Sequence, residues 1–554
     1  MSINMKARFL PLLSSIGLLL FSSCQKQLDV IAPSGSELSL EQVRKGAKVS
    51  SDRADATLVG MYSQLTAREG VFRIQGDFGY PSFACRLEHA GDNVVSTTAG
   101  YNWFNGELRL ADFQNNRSTV SEWAWTATYT NIKIANDVIS VNASAETPSA
   151  KIALGQAKAM RAWDYFLLAQ LYAKTYVGHE SDACVPIVDE TTSPEQLSNN
   201  PRKTVKEVYT FILKDLDEAV TLLEGFEPEV KNKISGAVAY GIRCRVRMVM
   251  NDWAGAAEDA RSAIKSFKKS PYSLADVSIP NFDDVQQGSG SMWGIIIGSE
   301  DYVTKSGIAN YTSMFTSLCF GAGAYTTSVG TYKMINSRLW MRIPKSDIRR
   351  DWWVHNQVVL GKTKEGKDRI GYTSSLLHNA YPRLEGPLAA ELLPLTVVKF
   401  APTNKDPLFK ENSVDFQLMR VEEMYYNLAE AMIMSGDIAG GKSMLIDFVQ
   451  KYRDPEYNPT ATSAKELQDE IYFQRRIEFW GEGISWFDML RLNKGIDRVD
   501  VATKDTGGYP ETCRFNVPAG DPTFTFQIPM SEEQNNKAIE GNNNPAYTPP
   551  TDMI

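Results

Sequence analysis

The chain has 554 residues, 43% of them hydrophobic and 22% charged, which are values of a globular protein long enough for a large buried core. Its formal charge is −8 and its Lys and Arg residues form no large cluster, which disfavours a nucleic-acid partner. Six cysteines and four histidines are scattered without a Cys-x-x-Cys pair, which argues against a disulfide scaffold, a zinc site or a haem site, and no cofactor is expected.

At the N-terminus, Lys6 and Arg8 precede an apolar run from Phe9 to Ser23. As a helix that run would reach about 22 Å, short of the ~30 Å hydrocarbon core, so it reads as a secretory signal segment. Small residues directly before Cys24 fit a lipoprotein signal peptidase, and Cys24 is the expected site of fatty acylation by palmitate-type chains. The expected organisation is a signal peptide over 1–23, a lipid-anchored tether over 24–50, a helical N-terminal part over 51–275 and a C-terminal part over 276–554. The tether is polar and carries Pro33, Gly35 and Gly46.

Helical spacing dominates from 51 to about 270. Tyr129, Ile132, Ala135 and Ile139 line one face, before a breaker at 143–150. Ala157, Met160, Trp163, Leu167, Leu168 and Leu171 line another. A third helix spans 205–223, with Thr204 and Glu207 spaced as a capping box. Two more are expected over 235–250 and 253–267. From about 280 to 415 the helical period weakens and Gly, Ser, Thr, Asn, Tyr and Trp become frequent. Strand-like runs stand at 294–297 and 395–400 in this loop-rich region. Helices return over 417–435, 440–452, 464–480 and 484–493. The tail beyond 500 is rich in Pro, Gly, Asn and Thr and is expected to wrap the surface.

Two helix pairs have tetratricopeptide-like composition. Ala254, Ala256, Ala257, Ala260 and Ala263 follow the turn Asn251-Asp252, and Ala429-Glu430-Ala431 precedes the turn Gly436-Asp437. Small residues at that spacing let paired helices approach closely.

Read in order, further motifs resemble the SusD/RagB family of nutrient-binding outer-membrane lipoproteins. They are Leu28-Asp29 after Cys24, Ala135-Asn136, and Arg161-Ala162-Trp163-Asp164-Tyr165-Phe166 followed by Val185-Pro186-Ile187. Asp252-Trp253-Ala254 and Arg420 through Glu423 continue the series. The most specific run is Arg475-Arg476-Ile477-Glu478-Phe479, Glu482-Gly483, Trp486-Phe487-Asp488 and Arg491, with Gln527-Ile528-Pro529 near the close. Gln474 stands where the family usually has Glu, and Ser485 where it usually has Arg. The resemblance covers nearly the whole chain beyond Cys24. It implies a mostly α fold with four tetratricopeptide-like helix pairs and a loop-rich region with a few short strands.

The resemblance also implies a surface-exposed protein, lipid-anchored at the outer membrane. It would capture nutrient oligomers, above all glycans, and act as the lid of a TonB-dependent, SusC-like transporter. Sugar sites need aromatic platforms edged by hydrogen-bonding groups. Two segments offer that mixture. In the first, Trp103 is the best candidate by family analogy, with Tyr101 and Asn102 beside it and Asp92-Asn93 upstream. The second spans 301–332 with Tyr302, Tyr311, Phe320, Tyr325 and Tyr332, of which Tyr302 and Tyr325 are the chosen candidates.

Paired carboxylates such as Glu478 and Glu482 could in principle serve a glycosidase, but their helical spacing suits ion pairs along one face. Glu422 and Glu423 are adjacent on a helix and point about 100° apart. No catalytic residue and no enzyme activity are expected. Peptide cargo, a secreted helical glycosidase and a tetratricopeptide adaptor remain as alternative readings.

Overall fold

The computed structural model describes residues 58–66, 77–97, 103–144, 146–305, 309–316, 330–380, 392–405 and 411–548. Cys24, Tyr101, Asn102, Phe320 and Tyr325 lie outside the described residues. The architecture is mostly α, as expected, with four two-stranded antiparallel sheets among the described residues.

After a short helical stretch over 58–63, helix α1 (Tyr80–Ala90) leads into a short strand, β1 (Val94–Ser96). Two long helices follow, α2 (Thr119–Asn142) and α3 (Pro148–Tyr172). Ser118 caps α2, and Thr147 caps α3 with Pro148 at its first turn, so the expected breaker ends three residues earlier than its composition suggested. The middle and end of α3 are buried on every side because it lies between α2 and α4 (Val205–Leu222). Gly155 permits this, since a Cβ there would stand 2.8 Å from Leu223 Cγ. Arg161 of α3 bridges the layers, donating to Asp215 of α4 at 2.7 Å and to Asn136 of α2 at 2.7 Å. The Thr204–Glu207 capping box on α4 forms as its spacing predicts.

The two tetratricopeptide-like pairs are helix hairpins. In the first, α5 (Gly236–Val249) and α6 (Trp253–Phe267) meet through Ala256, Ala260 and Ala263, and Arg243 grips Asp259 at 2.6 Å. In the second, α7 (Val421–Met434) and α8 (Ile438–Tyr452) are joined by Gly436, whose φ of 103° favours glycine. Before α7 come β2 (Ser291–Ile295), β3 (Lys333–Ile335), the exposed hairpin β4 (Asn356–Lys362) and β5 (Asp368–Thr373), and β6 (Phe416–Arg420). Beyond α8 lie α9 (Ala464–Glu478) and α10 (Ser485–Arg491).

Three local expectations change. Residues 417–420 were expected to be helical but form most of β6, paired antiparallel to β2, so tertiary pairing overrides helical periodicity. The run 395–400 forms only isolated bridges, Thr396 to Met334 and Val397 to Trp353. The tail is partly core: Phe526 stacks on Phe113 at 4.2 Å, and its amide donates to Leu171 O. One large hydrophobic cluster draws on residues from Leu58 to Ile539 and so unites both halves of the described chain.

Candidate functional site

Pairing of β1 with β3 joins the strand that precedes the first aromatic segment to the strand that follows the second. Val94, Val95 and Ser96 stand opposite Ile335, Met334 and Lys333. The contact continues one step outward, where Thr97 Oγ1 donates to Gly330 O at 2.7 Å. The chain leaving β1 towards Trp103 and the chain entering β3 from the 301–332 segment therefore start side by side.

The base of this corner is held by the C-terminal motif. Arg476 of α9 pairs with Asp92 at 2.9 Å and donates to Asn93 Oδ1 at 2.7 Å. The Trp480 indole donates to Asn93 O at 3.0 Å, and Asn336 adds its own amide at 2.9 Å. Asp92 and Asn93 are buried anchors that aim the following loop.

Trp103 is half-buried and packs against the core, the posture of a ring with one face supported. Its neighbour Phe104 is the anchor of the segment. Phe104 is buried, with a left-handed φ of 67°, a conformation that costs a non-glycine residue roughly 1–2 kcal/mol. Its ring stacks on His89 at 4.7 Å, with the Lys333 ammonium 5.6 Å and the Arg86 guanidinium 5.5 Å from its centroid. Lys333 also donates to Ser96 Oγ at 2.9 Å, and its burial lowers the ammonium to about 7. His89 is held well below the usual imidazole range by burial first and by Lys333 second, so it is neutral, with Nδ1 on Cys85 O at 2.6 Å. Phe104, His89 and Lys333 were not selected from the sequence. Only the alternation through 332–335 hinted that Lys333 lies in a strand.

The other candidates divide. Tyr302 is 66% exposed on the one-turn helix Tyr302–Lys305, which follows β2 rather than β1. Tyr311 and Tyr332, also named in that segment, are core residues. Tyr311 meets Phe315 and Phe416 at 5.7 and 5.1 Å, which removes both from the ligand face.

The carboxylates that might have suggested hydrolysis are locked in a buried network. Glu478 accepts from Arg420 at 2.9 Å, Arg453 at 2.8 Å and Arg349 at 3.2 Å. Burial raises its carboxyl, but the three guanidiniums outweigh burial and hold it well below the usual range. Glu482 is shared by Arg420 at 2.9 Å and Lys399 at 2.5 Å, and Glu423 is gripped by Arg245 at 2.6 Å. A cavity of about 70 Å³ behind these pairs, bordered by Tyr80, Trp163, Arg245 and Asp488, has room for a few waters and none for a sugar ring. Among the described residues no three His, Cys, Asp or Glu side chains converge as a metal site. Cys85, Cys184, Cys244 and Cys513 are buried free thiols.

Two family models match the chain. One, described as starch-binding and associating with the outer membrane, matches residues 81–248, and the SusD family model matches residues 395–549. No curated protein matches the sequence. A SusD-like carbohydrate-binding protein from Bacteroides vulgatus superposes with a TM-score of 0.71 at 20% identity, over 91% of this chain and 100% of that one. A SusD superfamily protein from Bacteroides thetaiotaomicron gives 0.70 at 20% identity, over 90% and 100%. Surface glycan-binding protein A from Bacteroides thetaiotaomicron, solved with laminarihexaose, gives 0.60 at 15% identity, over 89% and 99%. The two matched segments, which together span more than half of the chain, the motif-bearing α9 within the second, and the shared fold lead to one assignment: the chain belongs to the SusD/RagB family.

Proposed function

We propose that this protein captures glycans at the cell surface and passes them to a TonB-dependent, SusC-like transporter, over which it acts as a lid. The observation that carries the reading is the corner built by β1 and β3. There a half-buried indole, Trp103, packs against the core on the segment that leaves β1, and Thr97 meets Gly330 where the second aromatic-rich segment enters β3. A core-backed aromatic ring near hydrogen-bonding groups is what a flat saccharide C–H surface needs. Tyr101, Asn102, Tyr302 and Tyr325 are the further contacts in this reading. Family membership and the glycan-binding neighbours support carbohydrate as cargo.

Acylation of Cys24 would hold the protein at the outer membrane, and no described helix is long and apolar enough to cross one. In this reading the protein is a binder and performs no catalysis. The carboxylates near its specific motif are spent on Arg and Lys, and a buried ion pair is poorly suited to proton transfer.

A glycan array probed with the full chain tests the cargo. Binding to saccharides over a peptide panel supports the reading, and binding confined to peptides overturns it. Co-purification of a β-barrel receptor from the native membrane tests the partner.

A further inference from the structure

A groove with no residue in common with the Trp103 corner crosses the C-terminal end of α3. Its larger lobe, about 480 Å³, lies between residues 173–179, the Asn251–Trp253 turn, the end of α10 and residues 520–525. A second lobe of about 280 Å³ continues past Lys174 and Pro522 to Asn544 and Tyr547. The larger lobe alone is within the range of ligand pockets, roughly 300–1,000 Å³.

The groove's chemistry is mixed and nearly neutral. Arg491 is paired with Glu430 at 2.7 Å and Asp488 at 2.8 Å, and Lys494 with Asp469 at 2.6 Å. Asp521 accepts from the Thr523 amide at 2.8 Å and hydroxyl at 2.6 Å. The polar side chains of Lys174, Thr175, Asn251 and Asn493, and the Trp253 indole N–H, make no hydrogen bond with any described residue. Donors and acceptors thus converge around one half-buried indole that the core supports from behind. The rim is fixed as well. Asn493 and Gly520 both have left-handed backbones, with φ of 48° and 69°, and a Cβ on Gly520 would stand 3.2 Å from Asn493 Oδ1.

We propose that this groove is a second saccharide subsite, which takes neutral hexose units against Trp253, with amide and hydroxyl groups on their edges. It rests on the carbohydrate reading given above and adds a second point of attachment. Two weak sites on one protein hold a long glycan far better than either alone, because the second contact is intramolecular.

The test uses full-length protein carrying 15N-labelled indoles, with the Trp103 and Trp253 signals assigned through W103F and W253F. The probes are neutral hexasaccharides of glucose, mannose and galactose, laminarihexaose included. The expected result is a saturable shift of the Trp253 signal as well as the Trp103 signal with the same sugar. Thr175→Arg, which fills the groove from the irregular stretch after α3, should weaken the Trp253 response at least about tenfold and leave the Trp103 midpoint in place. A shift at Trp103 alone, or a Trp253 response that survives T175R unchanged, overturns the second subsite and spares the primary function. Silence at both rings with every sugar overturns both.

Discussion

Glu88 is a buried acid whose environment opposes ionisation. Its Oε1 accepts from the Gly483 amide at 2.8 Å, while its Oε2 is buried with no partner among the described residues. Burial raises its carboxyl to about 7, against a smaller pull from the Gly483 and Gly481 amides and Lys399, with Glu482 opposing that pull. A raised carboxyl favours the folded state while protonated, so this contribution is intact below the unfolded value near 4.5 and is lost as pH rises through 7. Glu88→Gln should therefore show a stability advantage over wild type that grows from pH 5 to pH 8, reaching on the order of 3 kcal/mol. Urea denaturation at several pH values reads this directly, and parallel wild-type and variant curves would contradict it. Arg420 is the opposite case, a buried cation serving Glu478 and Glu482 at once. Arg420→Met leaves Glu478 to Arg453 and Arg349 and Glu482 to Lys399 alone, and should cost about 3–5 kcal/mol, seen as a lower urea midpoint. The sequence showed Arg420, Glu478 and Glu482 as motif residues. It could not show that they meet, because the pairing joins positions some sixty residues apart.

At the scale of elements, what was legible was what is local. The Thr204–Glu207 box fixes the start of α4, and the alanines of α6 mark its packed face, because both signals lie within one or two helical turns. Strand β6 was misread as helix because its partner, β2, lies more than a hundred residues earlier. The α7–α8 hairpin also has a feature that composition only suggested. A Cβ on Gly441 would fall 2.7 Å from Ala429 O and 2.9 Å from Ile433 N, both rigid backbone atoms of α7. Gly441→Ala should then force the helices apart and cost about 1–3 kcal/mol, although alanine is intrinsically the better helix former. A thermal melt distinguishes the two effects, since propensity alone would raise the midpoint.

For the whole molecule, the mostly helical scaffold and family were readable from motifs spread along the chain, whereas the candidate corner was only half readable. Trp103 stood out as an aromatic among amides, but the approach of its neighbour Phe104 to Lys333 depends on β1–β3 pairing across more than two hundred residues. Tyr311 and Tyr332 looked equally suitable in the sequence and proved to be core, since composition does not reveal which side of a loop faces water. Capture for onward transport suits weak binding, with micromolar to millimolar Kd corresponding to about −8 to −4 kcal/mol. One stacking ring can supply about 1 kcal/mol or more of that. The most direct measurement is isothermal titration of wild type and Trp103→Ala with the glycan that the array returns, with a thermal melt of each. The expected result is a Kd raised several-fold or beyond detection in a variant that still melts cooperatively at a temperature well above that of the titration. Equal affinity in a folded variant would contradict it.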